Sequence, residues 1–375
     1  RYRRKRLWRC SNSMKTDFGI YIHIPFCSSK CSYCNFYSRV SSPQIREDYV
    51  SALCRETEKY KGRPSPKTVY IGGGTPSLLT PEELLKIHKS LGMAFDLSKV
   101  EEFTVETNPE STTEEFLSAF ISCGGNRVSI GVQSFDDGEL SLCGRKHTAA
   151  EAEKAIEKIQ KSGIDNISAD FIMGLPSQTE KSLLSSLGKA ADLEIPHISA
   201  YILKVEENTV FSKKGIKEPD EDRAAEMYLA ASDFLSERGY EHYEISNFAK
   251  NGKKALHNSS YWQGKNYIAF GAGAYGFEDN IRYHISPDIN AFISGNAEKI
   301  TDEILSDGDM AEEYFLLSLR TSDGILKAKM NPEMIDFAAK LEKTGLGKFT
   351  EKSFALTPKG FLVSNEIISD FIDMI

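Results

Sequence analysis

Three cysteines carry the clearest chemistry in this sequence. Cys27, Cys31 and Cys34 form a C-x3-C-x2-C triad in the segment YIHIPFCSSKCSYC, residues 21–34. Three thiolates within eight residues can converge on one metal centre, and thiolates select zinc or iron–sulfur clusters. A closed zinc site wants a fourth protein ligand. His23 could supply it, but it lies on a strand two residues before Pro25 and would have to fold back. A four-iron cluster on three cysteines instead leaves one iron open to a small molecule. Three unrelated core cysteines are the bland alternative, and a loop rich in Ser and Lys does not suit it.

Other polar residues recur where strands end. Gly72-Gly73-Gly74-Thr75-Pro76 offers backbone that a ligand can approach closely. Glu106 in VETNP, Gln133 in GVQSF and Asp170 in ADFIMGLP are polar where an apolar residue would serve a core. Arg145 in GRKH could pair bidentately with a carboxylate, and His147 beside it reads as a loop residue. A second cluster, His257-Asn258-Ser259-Ser260-Tyr261-Trp262, combines an imidazole with flat aromatic rings. Its plainer reading is a packed Tyr-Trp pair with a surface His. Gly271 to Gly276 spells G-x-G-x-x-G, but no βαβ unit surrounds it, so a dinucleotide site is rejected. Cys54, Cys123 and Cys143 read as small buried hydrophobes, Cys143 having the best claim to reactivity.

The elements that must position these groups alternate. Strands are expected at Phe18–Ile24, Thr68–Gly72, Glu102–Glu106, Arg127–Val132, Ile167–Ile172 and Ile198–Leu203. Helices are expected near Gln44–Tyr60, Pro81–Leu91, Thr113–Cys123, Ala149–Ser162 and Thr179–Leu193, and a further one at Asp220–Arg238 stops at Gly239. Six βα units fit an open doubly wound sheet or an incomplete barrel, and both place their sites after the strands. From about Asn247 to Asp279 the pattern reads as irregular structure. Helix, helix, hairpin near Gly347–Leu356 and closing helix then suggest a small winged-helix-like α+β module with its own core.

Composition sets the class. The chain has 375 residues, 40% hydrophobic and 27% charged, which suits a folded protein of about two domains. Residues 1–15 hold seven basic side chains and no acid, leaving 39 basic against 54 acidic residues over 16–375, a net −15. So acidic a body argues against nucleic acid as ligand. Seven unevenly spaced cysteines do not form a disulfide framework, pointing to a reducing, cytoplasmic setting. No apolar run is long enough to span a bilayer, which leaves weak membrane association open. The Arg-rich start is expected to be a non-native or disordered extension ahead of Met14, the alternative being a transit peptide. The expected division is 1–15 extension, 16–246 barrel, 247–300 connecting segment and 301–375 C-terminal module.

The triad after a strand, with Tyr33 ahead of its last cysteine, resembles the radical S-adenosylmethionine (SAM) superfamily. HIPFC-x3-C-x-Y-C is similar to its coproporphyrinogen dehydrogenase-like branch, over residues 18–375. The resemblance implies an incomplete (β/α)6 TIM-like barrel with a 4Fe-4S cluster on Cys27, Cys31 and Cys34. It implies SAM on the open iron, contacted by Tyr21, Tyr33, Gly73, Gly74, Thr75, Glu106, Gln133, Arg145 and Asp170. Reductive cleavage of SAM to a 5′-deoxyadenosyl radical, with a reductase or flavodoxin-type electron donor, would follow. Two departures matter within the branch. Phe36 stands where the dehydrogenases carry a fourth motif cysteine, and their longer N-terminal segment is not expected here. HNSSYW matches the HNxxYW motif of HemW-like heme chaperones, implying heme as cargo, His257, Asn258, Tyr261 and Trp262 as heme-binding candidates, and heme-requiring acceptors such as respiratory enzymes. Coproporphyrinogen III dehydrogenase and a zinc-stabilised interaction module are the competing readings, and no catalytic residue is assigned.

Overall fold

The computed structural model describes residues 17–375. The basic extension and Cys10 therefore lie outside the described residues. The six expected strands form: β1 (Phe18–Ile24), β2 (Thr68–Gly73), β3 (Glu102–Thr107), β4 (Arg127–Gln133), β5 (Asn166–Met173) and β6 (His197–Ile202). They pair in parallel and in chain order. Helices Pro43–Glu58, Pro81–Ala94, Glu114–Ser122, Ala149–Lys161 and Glu180–Asp192 join them. Several starts are set by side chains: Thr80, Thr148 and Thr179 each complete a reciprocal capping box, a device worth roughly 1 kcal/mol.

Period-two alternation sorts the strands into two faces. Ile20, Ile22, Val69, Ile71, Val105, Val128, Ile130, Ala169 and Ile198 are buried in one apolar core with Leu53, Leu84, Ile87 and Phe116 of the covering helices. The opposite face carries Tyr21, His23, Tyr70, Glu106, Ser129, Ser168 and Asp170. These bond to one another or to neighbouring backbone instead of packing as apolar core, as in Tyr70 Oη donating to Glu106 (2.8 Å) and the Ser129 hydroxyl donating to Asp170 (3.2 Å). The result is an α/β sheet with an apolar outside and a polar inside.

Residues 247–279, expected to be irregular, are mostly ordered elements. After β7 (Glu241–Glu244) and β8 (Asn247–Ala249) comes a helix, Leu256–Trp262, and then β9 (Asn266–Phe270), β10 (Tyr275–Glu278), β11 (Ile281–Ile285) and β12 (Lys299–Ile304). Strand β9 pairs in parallel with β1 on the side away from β2, a seventh parallel strand. The run NYIAF is too short to announce itself. The open edge of β1 makes it a strand by offering ladder partners. The full order, β12-β11-β10-β9-β1-β2-β3-β4-β5-β6-β8-β7, ends in two unpaired edges, so the sheet is open.

Beyond it, helices Asp307–Ser318 and Pro332–Lys343 lead to a small sheet of β13 (Ile325–Leu326), β14 (Gly347–Phe349) and β15 (Ser353–Leu356). The expected closing helix is two, Pro358–Leu362 and Ser364–Asp373, because Val363 leaves helical geometry at φ −113°. Nor does this module keep a core of its own. Phe315, Phe354 and Phe371 belong to the same apolar cluster as the sheet, and Phe361 meets the His242 ring edge-on at 5.4 Å.

Candidate functional site at the strand ends

The cysteine loop leaves the C-terminal end of β1 and is pinned by backbone. Arg39 N–H donates to Pro25 O (2.9 Å), Cys27 N–H to Arg39 O (3.1 Å) and Ser32 N–H to Cys143 O (2.9 Å), while Phe211 N–H donates to Ser32 O (2.9 Å). These bonds hold Cys27, Cys31 and Cys34 half-buried, each a free thiol. The Thr75 hydroxyl points at Cys27 Sγ (3.6 Å) and Arg145 Nη1 at Cys31 Sγ (3.4 Å). Burial raises the Cys34 thiol pKa, against the pull of the Lys30 ammonium.

This donor set fits a cluster with three thiolate ligands better than a closed single-ion site. His23 is unavailable as a fourth zinc ligand: its Nε2 lies 2.9 Å from the Tyr37 carbonyl and so carries the proton, and its Nδ1 lies 2.9 Å from the Tyr21 hydroxyl, from which it accepts. Among the described residues no three Cys, His, Asp or Glu side chains stand close enough to hold one ion. The Arg145 cation, with Nη1 on Cys31 Sγ, suits a thiolate there, and its Nε is buried without a hydrogen-bond partner.

The remaining sequence-derived residues separate into two groups. Arg145 Nη2 donates to Asn108 Oδ1 (2.8 Å) and to the Gly131 carbonyl, and Asn108 Nδ2 donates to Thr75 Oγ1 (3.0 Å). A chain of polar contacts therefore runs from Cys27 through Thr75, Asn108 and Arg145 to Cys31. Asn108 was missed by the sequence reading. Its signal was the Asn two residues after Glu106, at the end of the same strand. Glu106 accepts from the Gly73 N–H (2.9 Å) and from Tyr70 Oη, and burial pushes its carboxyl up to about 7. Gly73 has φ +114°, and a Cβ there would stand 2.5 Å from the His23 ring, so only glycine fits. The next turn is drawn to the cysteine loop, with Gly74 N–H donating to Ile24 O (2.8 Å) and Thr75 N–H to Phe26 O (2.7 Å).

Asp170 sits in the middle of β5, short of the strand end where it was expected, and accepts from Ser129 and Ser168. Burial raises its carboxyl pKa. Gln133 is held at φ +68° where the β4–β5 register shifts, an arrangement that re-aims a side chain. Tyr33 packs into a small apolar cluster with Cys143, Leu203 and Phe211.

His257 does not sit where an iron ligand would. It is fully buried. Its Nδ1 lies 2.7 Å from Thr68 Oγ1 and its Nε2 lies 2.7 Å from Tyr261 Oη, so both ring nitrogens are engaged. The backbone N–H groups of Leu256 and His257 donate to the Glu102 carboxylate, at 2.8 Å each. Burial, with the Arg127 cation, lowers the His257 pKa to about 3. Thr68 and Glu102 are the first residues of β2 and β3, so this helix closes the foot of the sheet. At about 3.3 Å per residue the foot lies roughly 16 Å from Gly73. His257, a heme-binding candidate whose plainer reading was a surface His, is thus a core residue, while Asn258, Tyr261 and Trp262 are half-buried on the same helix. The claim of Cys143 to reactivity also fails, since it is fully buried and burial pushes its thiol up to about 12. His147 is buried too, with Nε2 3.2 Å from Val132 O. Gly271 and Gly273 stand between β9 and antiparallel β10, with no helix after them.

Known proteins resemble this chain along most of its length. The Radical SAM superfamily pattern matches residues 21–190. The chain is similar to the heme chaperone HemW of Lactococcus lactis, 34% identical and covering 94% of this chain and 96% of that protein. It is similar to the heme chaperone HemW of Bacillus subtilis at 36% identity, covering 94% and 98%. Among solved structures it resembles the coproporphyrinogen III oxidase HemN of Escherichia coli, a radical SAM enzyme, with a TM-score of 0.79 over 96% of this chain and 91% of that one at 20% identity. That likeness speaks for the fold.

Proposed function

The chain belongs to the HemW family of radical SAM proteins, and from that premise we propose that it binds heme and hands it to heme-requiring proteins such as respiratory enzymes. The end-to-end match to heme chaperones carries this reading. Phe36 supports it: where the dehydrogenases place a fourth cysteine, this chain presents a side chain 70% exposed and without a donor.

Cys27, Cys31 and Cys34 would hold the 4Fe-4S cluster, which supplies the electron for reductive SAM chemistry, from a reductase or flavodoxin-type donor. Arg145 orients the site. Its guanidinium spans Cys31, Asn108 and Gly131 and balances thiolate charge in a buried position. Gly73, Gly74 and Thr75 bring bare backbone to the loop, and Tyr21, Tyr33, Gln133 and Asp170 complete the SAM candidates. Glu106, poised near neutrality, can accept or release a proton beside Gly73. Among the described residues no helix is long and apolar enough to cross a membrane; the unevenly spaced cysteines fit a reducing, cytoplasmic setting, and the acidic body fits a protein with no nucleic-acid partner.

The test is ferric heme titration of the reconstituted full chain, followed by incubation with an apo heme protein. A Soret band that grows with heme and then moves to the acceptor is the expected result. Protoporphyrinogen IX formed from coproporphyrinogen III with SAM and dithionite would replace this reading with the dehydrogenase one.

A further inference from the structure

With His257 locked into the foot of the sheet, another imidazole is better placed to meet iron. His284 stands on β11, directly opposite Tyr275 on β10 and opposite Ile300 on edge strand β12. Directly opposed residues share a face of the sheet. Tyr267 pairs with Phe277 and Gly19 pairs with Tyr267, so Tyr275 and His284 lie on the face that carries Tyr21 and His23. This is the polar inner face, at its open end.

The groups there are prepared for a ligand. His284 Nδ1 lies 2.7 Å from Asp302 Oδ1, and Asp302 falls where the register of β11 and β12 shifts, at the Arg282/Tyr283 step. A carboxylate on one ring nitrogen fixes the tautomer and the ring orientation and leaves the other nitrogen free to accept, the arrangement usual for metal-ligating histidines. Among the described residues Nε2 of His284 has no hydrogen-bond partner, and the side chain is 20% exposed. The Tyr275 ring lies 5.3 Å from the imidazole and is 61% exposed, and Ile300 is 37% exposed. An oriented imidazole flanked by an exposed aromatic ring and an exposed aliphatic side chain is complementary to a flat apolar macrocycle with iron at its centre. The neighbouring loop links this patch to the cysteines: a side chain at Gly273 would strike the Tyr37 ring, and Tyr37 follows the exposed Phe36.

We propose that the cargo heme docks on this face with His284 Nε2 as an axial iron ligand, Asp302 orienting the imidazole and Tyr275 lying against the macrocycle. This rests on the heme-chaperone reading, and its test separates the two. Ferric heme is titrated into the full chain and into His284→Ala, Asp302→Asn, Tyr275→Ala and His257→Ala, with folding checked by circular dichroism and binding followed at the Soret band. His284→Ala is expected to lower affinity at least tenfold and shift the band, with free imidazole restoring the wild-type spectrum. Asp302→Asn and Tyr275→Ala should weaken binding less, and folded His257→Ala should keep the wild-type spectrum. Wild type that takes up no heme would overturn the chaperone reading. Wild type that binds heme while His284→Ala binds equally, with the same spectrum, would overturn the assignment of His284 alone.

Discussion

Nδ1 of His257 lies 2.7 Å from Oγ1 of Thr68, so the histidine of the HNxxYW motif is tied to the first residue of β2, at the opposite end of the sheet from the cysteine loop. A motif that reads as a ligand set is, in three dimensions, the plug that closes the foot of the sheet. Its Glu102 contacts satisfy two N–H groups at the start of a short helix that side chains otherwise leave bare.

His257→Ala therefore acts on stability. Removing a buried ring with two hydrogen bonds leaves Thr68 and Tyr261 unpaired and a cavity behind, and about 2–4 kcal/mol of stability should be lost. Denaturant melts with circular dichroism would measure it, and a variant as stable as wild type would contradict the plug.

The same residue predicts a pH dependence. In the unfolded chain a histidine titrates near 6.5, and here it is held to about 3. Between those values the unfolded state binds the extra proton, so stability is full above about pH 6.5 and falls as pH drops toward 3. The contribution is about 1.4 kcal/mol per pH unit within that window. Comparing wild type with His257→Gln across pH 4–7 isolates it: the wild type should lose stability faster on acidification.

The cysteines should divide sharply. Cys27→Ala, Cys31→Ala or Cys34→Ala should abolish a stable four-iron cluster after anaerobic reconstitution. Cys143→Ala should keep it, because Cys143 is buried as a neutral thiol. Iron and sulfide counts with visible absorption decide between these outcomes, and one zinc per chain in place of iron would remove the cluster altogether.

Gly73→Ala tests the turn that faces Glu106. A Cβ at φ +114° against the His23 ring costs on the order of 1–3 kcal/mol. Displacing the loop should also weaken SAM binding, read by equilibrium dialysis, by more than tenfold. Arg145→Lys should weaken SAM binding similarly while leaving the iron content near wild type, since a single ammonium cannot span Cys31, Asn108 and Gly131 together.

Much of this protein was legible because its signals are local. Strands β1 to β6 appear within a residue or two of where β-branched runs place them, and the Thr80 cap follows from Thr-Pro-Glu-Glu. Strand β9 was not legible, because a five-residue run becomes a strand only when β1 offers it an edge. The break at Val363 was equally hidden inside a continuous apolar pattern.

The candidate site divides in the same way. Spacing alone put Cys27, Cys31 and Cys34 on one loop, within eight residues of each other. Chain order also placed Gly73 and Glu106 at the ends of parallel strands and Arg145 in the segment that follows β4, where ligands gather. What tertiary structure decided was which side chains remain available. His23 and His257 have both ring nitrogens engaged, Cys143 is buried, and Asn108 joins the cysteines through Thr75 and Arg145. His284, unremarkable in sequence, is oriented by Asp302 across a register shift. A hydrogen-bond partner from another strand decides whether a histidine is a ligand or a strut, and one-dimensional spacing carries no record of that partner.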